Sequence, residues 1–165
     1  MLNFLTDNNV TDRAGLEEKV RSMYSKQDDI RVGLKFIERR LKTLDEHIKE
    51  SAYHLEFREI YQKYKQLKPR KQKKFFEDHR REIMLFEAAD RYFSEHRVDT
   101  QAPLPIKQWR EEHERIITDK NRLYRDYSAL SGEVREVEII RRSVYDIMRQ
   151  EAQRSQPIRA RGMER

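Results

Sequence analysis

Histidine and tyrosine have the best claim to chemistry in this chain, and their spacing limits that claim. The five histidines, His47, His54, His79, His96 and His113, contain no HExxH pair and no tight cluster. A zinc or magnesium site needs several ligands that converge. Glu50 and His54 share an i,i+4 face, a spacing that many pairs will have in a chain that is 40% charged. Tyr61 with Tyr64, and Tyr124 with Tyr127, stand three residues apart. A nucleophilic tyrosine needs an activating base or metal beside it, and packing accounts better for both pairs. There is no glycine-rich phosphate loop and no GxSxG. The expectation is a chain without catalytic residues, bound metal or cofactor, and so not an enzyme.

Clustered charge is more informative. The net charge is +6, and between Glu59 and Glu77 no acidic residue occurs. Lys63, Lys65, Lys68, Arg70, Lys71, Lys73 and Lys74 all fall in that stretch, interleaved with Tyr61, Tyr64, Phe75 and Phe76. Cations attract phosphates and aromatic rings stack on bases, which is the combination that single-stranded nucleic acid requires. The competing reading makes the rings core at a helix joint and the lysines a solubilising surface. Nothing resembles a helix-turn-helix or a zinc finger, so sequence-specific recognition is not expected.

These residues sit on elements whose pattern is plain. Alternating steps of four and three from Leu16 give Leu16, Val20, Met23, Gln27, Ile30, Leu34, Ile37, Leu41, Leu44, Ile48, Ser51 and Leu55. The same steps from Trp109 give Trp109, His113, Ile116, Lys120, Leu123, Tyr127, Leu130, Val134, Val137, Arg141, Val144 and Met148. Such sustained a and d positions predict two long helices, each burying one stripe, with rods of about 60 Å at 1.5 Å per residue. Composition agrees: 165 residues, 36% hydrophobic, four glycines and a mean hydropathy of −1.08 suit narrow seams rather than a wide core. The absence of cysteine removes disulfides and thiolate metal sites and fits a reducing cytoplasm. No apolar run is long enough to span a membrane, and Met1 to Leu5 is too short for a signal peptide.

The expected organisation is an irregular lead-in over 1–12, one helical unit over 13–152, and a disordered basic tail over 153–165. Thr11 or Asp12 is the candidate N-cap of the first helix, about 13–68, which Pro69 stops. A second helix, about 71–97, carries apolar residues on more than one stripe and should meet two neighbours. Pro103 and Pro105 mark the joint before a third helix, about 106–150. Gly33 and Gly132 fall off the seams, while Gln27, Lys120 and Arg141 sit on them and would fix register. Trp109 and His113, also on the seam, are expected in the core. The predicted fold is all-α, an elongated antiparallel coiled-coil hairpin of two long helices with a shorter helix packed near the turn end. It would be a monomer, with a parallel homodimer as the alternative.

One resemblance is visible. Phe57-Arg58-Glu59-Ile60-Tyr61-Gln62-Lys63-Tyr64, then Lys74-Phe75-Phe76-Glu77-Asp78-His79-Arg80-Arg81-Glu82-Ile83 and Ala88-Ala89, resemble the C-terminal helical region of relaxase/mobilization proteins of conjugative transposons and plasmids. Leu104-Pro105-Ile106 and Leu123-Tyr124-Arg125-Asp126-Tyr127 look like the same region, so the resemblance covers about 14–150. In that family, nicking belongs to an N-terminal nuclease domain with a histidine-bound metal and a tyrosine nucleophile; no residue of that machinery carries over here. The resemblance implies an accessory role in DNA mobilisation, with single-stranded DNA or transfer-complex proteins as partners. A structural adapter that binds protein alone is the second expectation.

Overall fold

In the computed structural model, residues 12–154 are described. They form four helices: α1 (Arg13–Gln66), α2 (Pro69–Asp78), α3 (Arg80–Glu95) and α4 (Ile106–Arg154). No strand occurs among the described residues. Residues 1–11 of the expected lead-in and 155–165 of the expected tail lie outside the described residues. Gln153 and Arg154, placed in that tail from sequence, belong to the last turn of α4.

Local chemistry explains the ends. The Asp12 carboxylate accepts the Gly15 backbone N–H at 2.7 Å, so Asp12 caps the start of α1; Thr11, the other candidate, lies outside the described residues. Proline disfavours helical geometry in the residue before it, and Lys68 is extended at φ −64°, ψ 147°. That is why α1 ends at Gln66, short of the expected Lys68, and why Pro69 opens α2. The α3 terminus closes with Arg97 at φ 57°. The Val98 N–H reaches the Phe93 carbonyl at 2.8 Å and the Arg97 N–H reaches Ser94 at 3.1 Å, a Schellman pairing with arginine in the position glycine favours.

The expected second helix is in fact two. His79, at φ −126° and ψ 29°, ends α2 and begins α3. The break falls between two sets of apolar residues. Phe75 and Phe76 are half-buried at the end of α1, whereas Ile83, Phe86, Ala89 and Phe93 form one fully packed stripe on α3.

The helices contribute to two compact units, 12–33 with 122–154, and 34–121. In the first, Leu16, Val20 and Met23 of α1 pack on Val134, Val137 and Ile140 of α4. Glu17 meets Arg141 at 3.6 Å, Gln27 donates to Ser131 at 2.9 Å, and Gly33 lies against Leu123. Ascending numbers on one helix meet descending numbers on the other, so the pair is antiparallel. In the second unit Glu38 pairs with Lys120 at 3.5 Å and Asp45 with His113 at 2.9 Å, in the same antiparallel sense. Here α3 joins the pair, and Leu44, Phe93 and Trp109 form the centre. The all-α hairpin of two long helices, with shorter helical elements by the turn, is thus the fold.

Three seam residues depart from expectation. Leu55 is 53% exposed and Met148 43% exposed. With α3 packed against it, α1 turns Ser51 and His54 inward, which rotates Leu55 out; Met148 lies on α4 beyond the level of Arg13, where α1 begins. His113 is half-buried, with Nε2 2.9 Å from Asp45 Oδ1, rather than core. Polar seam residues behave as register devices: Gln27 bonds Ser131, Lys120 pairs with Glu38, and Arg141 pairs with Glu17 and Glu138. No described helix is long and apolar enough to cross a membrane.

Candidate nucleic-acid interface at the helical elbow

The chain turns sharply where α1 meets α2, because Pro69 supplies the break and Lys68 the extended link. Gln72 fastens the elbow: its side-chain N–H donates to the Tyr64 carbonyl at 3.1 Å, and its backbone N–H to that of Lys68 at 3.1 Å. Lys63, Lys65, Lys68, Arg70, Lys71, Lys73 and Lys74 are all exposed around this turn. None of them pairs with a carboxylate among the described residues. An open groove of about 620 Å³ runs along the elbow, floored by Leu67 and Phe75 and edged by Arg70, Lys71, Lys74 and Asp78.

Two of these cations sit where helix electrostatics disfavour them. The first turn of α2 contains no acidic residue, while Arg70 and Lys71 occupy it. A cation at the positive end of a helix costs about 0.3–1 kcal/mol. An anion bound at the elbow would relieve that cost.

The aromatic residues of the stretch divide. Tyr61 stacks on Phe86 at 4.4 Å and carries Lys65 Nζ over its ring at 5.5 Å, and Tyr64 packs on Phe76 at 6.0 Å. These rings form the packing between α1, α2 and α3. Phe75, set against His79 at 4.5 Å, is the ring at the groove. Packing also accounts for Tyr127, which is half-buried, whereas Tyr124 stands 46% exposed.

Sequence reasoning missed the polar interior of the second unit. His47 and His54 are buried there at helical spacing on α1. His47 Nδ1 bonds the Tyr92 hydroxyl at 2.7 Å and its ring lies 4.8 Å from that of Trp109. Burial lowers the His47 imidazole below its ordinary range, with His96 and Arg40 adding to the effect. Burial, with help from Glu46 and Glu50, pushes the Tyr92 hydroxyl up to about 12. His54 stacks on Phe86 at 4.6 Å and places Nε2 3.6 Å from Asp90, and burial again lowers its imidazole. The available signal was His47, Ser51 and His54 recurring at i, i+4, i+7 beside the apolar seam. No group of three metal-ligating side chains converges among the described residues. Comparison of the chain with protein-family models, with curated proteins and with solved structures finds no match.

Proposed function

We propose that this chain is a non-catalytic helical module that holds nucleic acid, single-stranded DNA in the first instance, on its basic elbow. The observation that carries this reading is a set of seven exposed cations at one elbow, none paired with a carboxylate among the described residues, three of which, Arg70, Lys71 and Lys74, line an open groove beside Phe75. Phosphate contacts explain why such a surface is left uncompensated, and Phe75 offers a ring on which a base can stack. The resemblance to the C-terminal helical region of mobilization relaxases supplies the setting, DNA handling or partner contact during transfer of a plasmid or transposon. The cytoplasm is the compartment that fits this role.

Fluorescence anisotropy with labelled single-stranded and duplex DNA tests the reading. If four to seven cations each neutralise a phosphate, log affinity falls against log salt with a slope of about −3 to −5 on single strands. Between about 50 and about 200 mM salt, that weakens binding by about 50- to 900-fold. Reversing Lys68, Arg70, Lys71 and Lys73 to glutamate should abolish binding and leave helicity intact, since all four are exposed. The effect should be uniform across sequences, because phosphate contacts carry no base information. No binding by the parent at low salt refutes the nucleic-acid reading. The second reading, an adapter that binds protein alone, then takes its place; it is favoured by the engagement of Tyr61, Tyr64 and Phe76 in internal packing.

A further inference from the structure

We propose that a cleft next to the elbow receives one guanine base of the bound strand, an inference that rests on the nucleic-acid reading above. The cleft lies wholly within the second unit, between α1, α3 and the 96–105 joint. It consists of two adjoining cavities, of about 200 and about 310 Å³, which share His54, Arg58, Thr100 and Gln101. The smaller is lined also by Tyr61, Phe86, Gln62 and Asp90. Pockets for drug-sized ligands begin at about 300 Å³, so the smaller chamber suits a single planar base. The larger, walled by Leu55, Pro103 and Leu104, leaves room for the adjoining sugar.

The chemistry of the lining selects the base. Phe86 stacks with both His54, at 4.6 Å, and Tyr61, at 4.4 Å, so the wall is a rigid aromatic stack. The rim carries both signs. Asp90 accepts a hydrogen bond from the Thr100 hydroxyl at 3.0 Å on Oδ1, which orients the carboxylate, and its Oδ2 accepts none among the described residues. Its side chain is 52% exposed, so it can meet a ligand. Arg58 is exposed one helical turn after His54 and forms no ion pair among the described residues.

A free phosphate is a poor fit, because Asp90 would repel it. Guanine offers two adjacent N–H donors, N1 and N2, to a carboxylate, and its O6 and N7 acceptors to a guanidinium. Adenine turns a ring acceptor toward the carboxylate, and thymine and cytosine each supply one donor on that edge. Continuity with the elbow comes from Tyr61, which lines the cleft and lies under Lys65, one of the seven cations.

The test measures anisotropy of four labelled oligothymidylate strands that differ only in one central nucleotide, guanine, adenine, cytosine or thymine, at low salt. The parent should bind the guanine strand at least about fivefold more tightly than the thymine strand, the lower end of what one bidentate base contact discriminates. Asp90→Asn keeps the shape and an acceptor for Thr100 but cannot take both guanine donors, and it should erase the preference while sparing affinity for the thymine strand. Arg58→Gln should reduce the preference as well. Equal affinity for the four strands, or a guanine preference unchanged in both variants, overturns the cleft assignment and leaves the elbow reading standing. No binding to any strand overturns both.

Discussion

Phe93→Ala puts the second unit's core to a direct energetic test. Phe93 is fully buried, stacks on Trp109 with ring centres 5.9 Å apart at 13°, and edges onto His47, His54 and Tyr92. Truncating a core phenylalanine costs about 3–5 kcal/mol in transfer and cavity terms. Lost aromatic pairing of about 0.5–1.5 kcal/mol per pair favours the upper half of that range, so about 4 kcal/mol is expected. With a urea slope of about 2 kcal/mol per molar, the unfolding midpoint should fall by about 2 M. The probe is built in: Trp109 is the sole tryptophan and lies against Phe93, so its emission reports the second unit. Phe36→Ala is the control, because Phe36 is 72% exposed and should shift stability by less than about 0.5 kcal/mol. Equal shifts for the two variants, or a Phe93→Ala midpoint within about 0.5 M of the parent, would refute the assigned packing.

The buried histidines predict acid sensitivity. Burial lowers both His47 and His54, so the unfolded chain binds more protons below about pH 6.5, and stability is fully present above that value and declines as pH falls through it toward the folded values. The Trp109-detected midpoint should be lower at about pH 5 than at about pH 7.5, and a flat profile would count against neutral burial. Gly132 meets nothing within 4 Å of an added Cβ, so Gly132→Ala should stabilise the helix by about 0.5–1 kcal/mol in urea unfolding; a loss would mean that space is occupied. Arg97→Gly should raise stability by about 0.5–1 kcal/mol, because glycine adopts φ 57° without strain. A destabilised Arg97→Gly variant would show that the arginine side chain holds the turn.

Chain order alone specifies the two long helices, the start of the first and, within two residues, the joint at Pro69 and the start of the last. Heptad seams from Leu16 and from Trp109 repeat with a period that only a helix can bury, and Asp12, Pro69 and Pro105 act locally, without reference to the fold. It determined the basic elbow in the same way, since seven cations without an acid between Glu59 and Glu77 are a property of the chain order. Tertiary structure decided what a third helix does to a two-helix pattern. When α3 lays Phe86, Ala89 and Phe93 against α1, the buried face widens beyond a and d to take in His47 and His54, while Leu55 turns out to solvent. The break at His79 is likewise invisible in the sequence, because the apolar spacing of Phe76, Ile83, Phe86 and Phe93 runs through it without interruption. The cleft beside Asp90 joins α1, α3 and the 96–105 joint, residues far apart in sequence. Their proximity is a consequence of packing, which no local periodicity encodes.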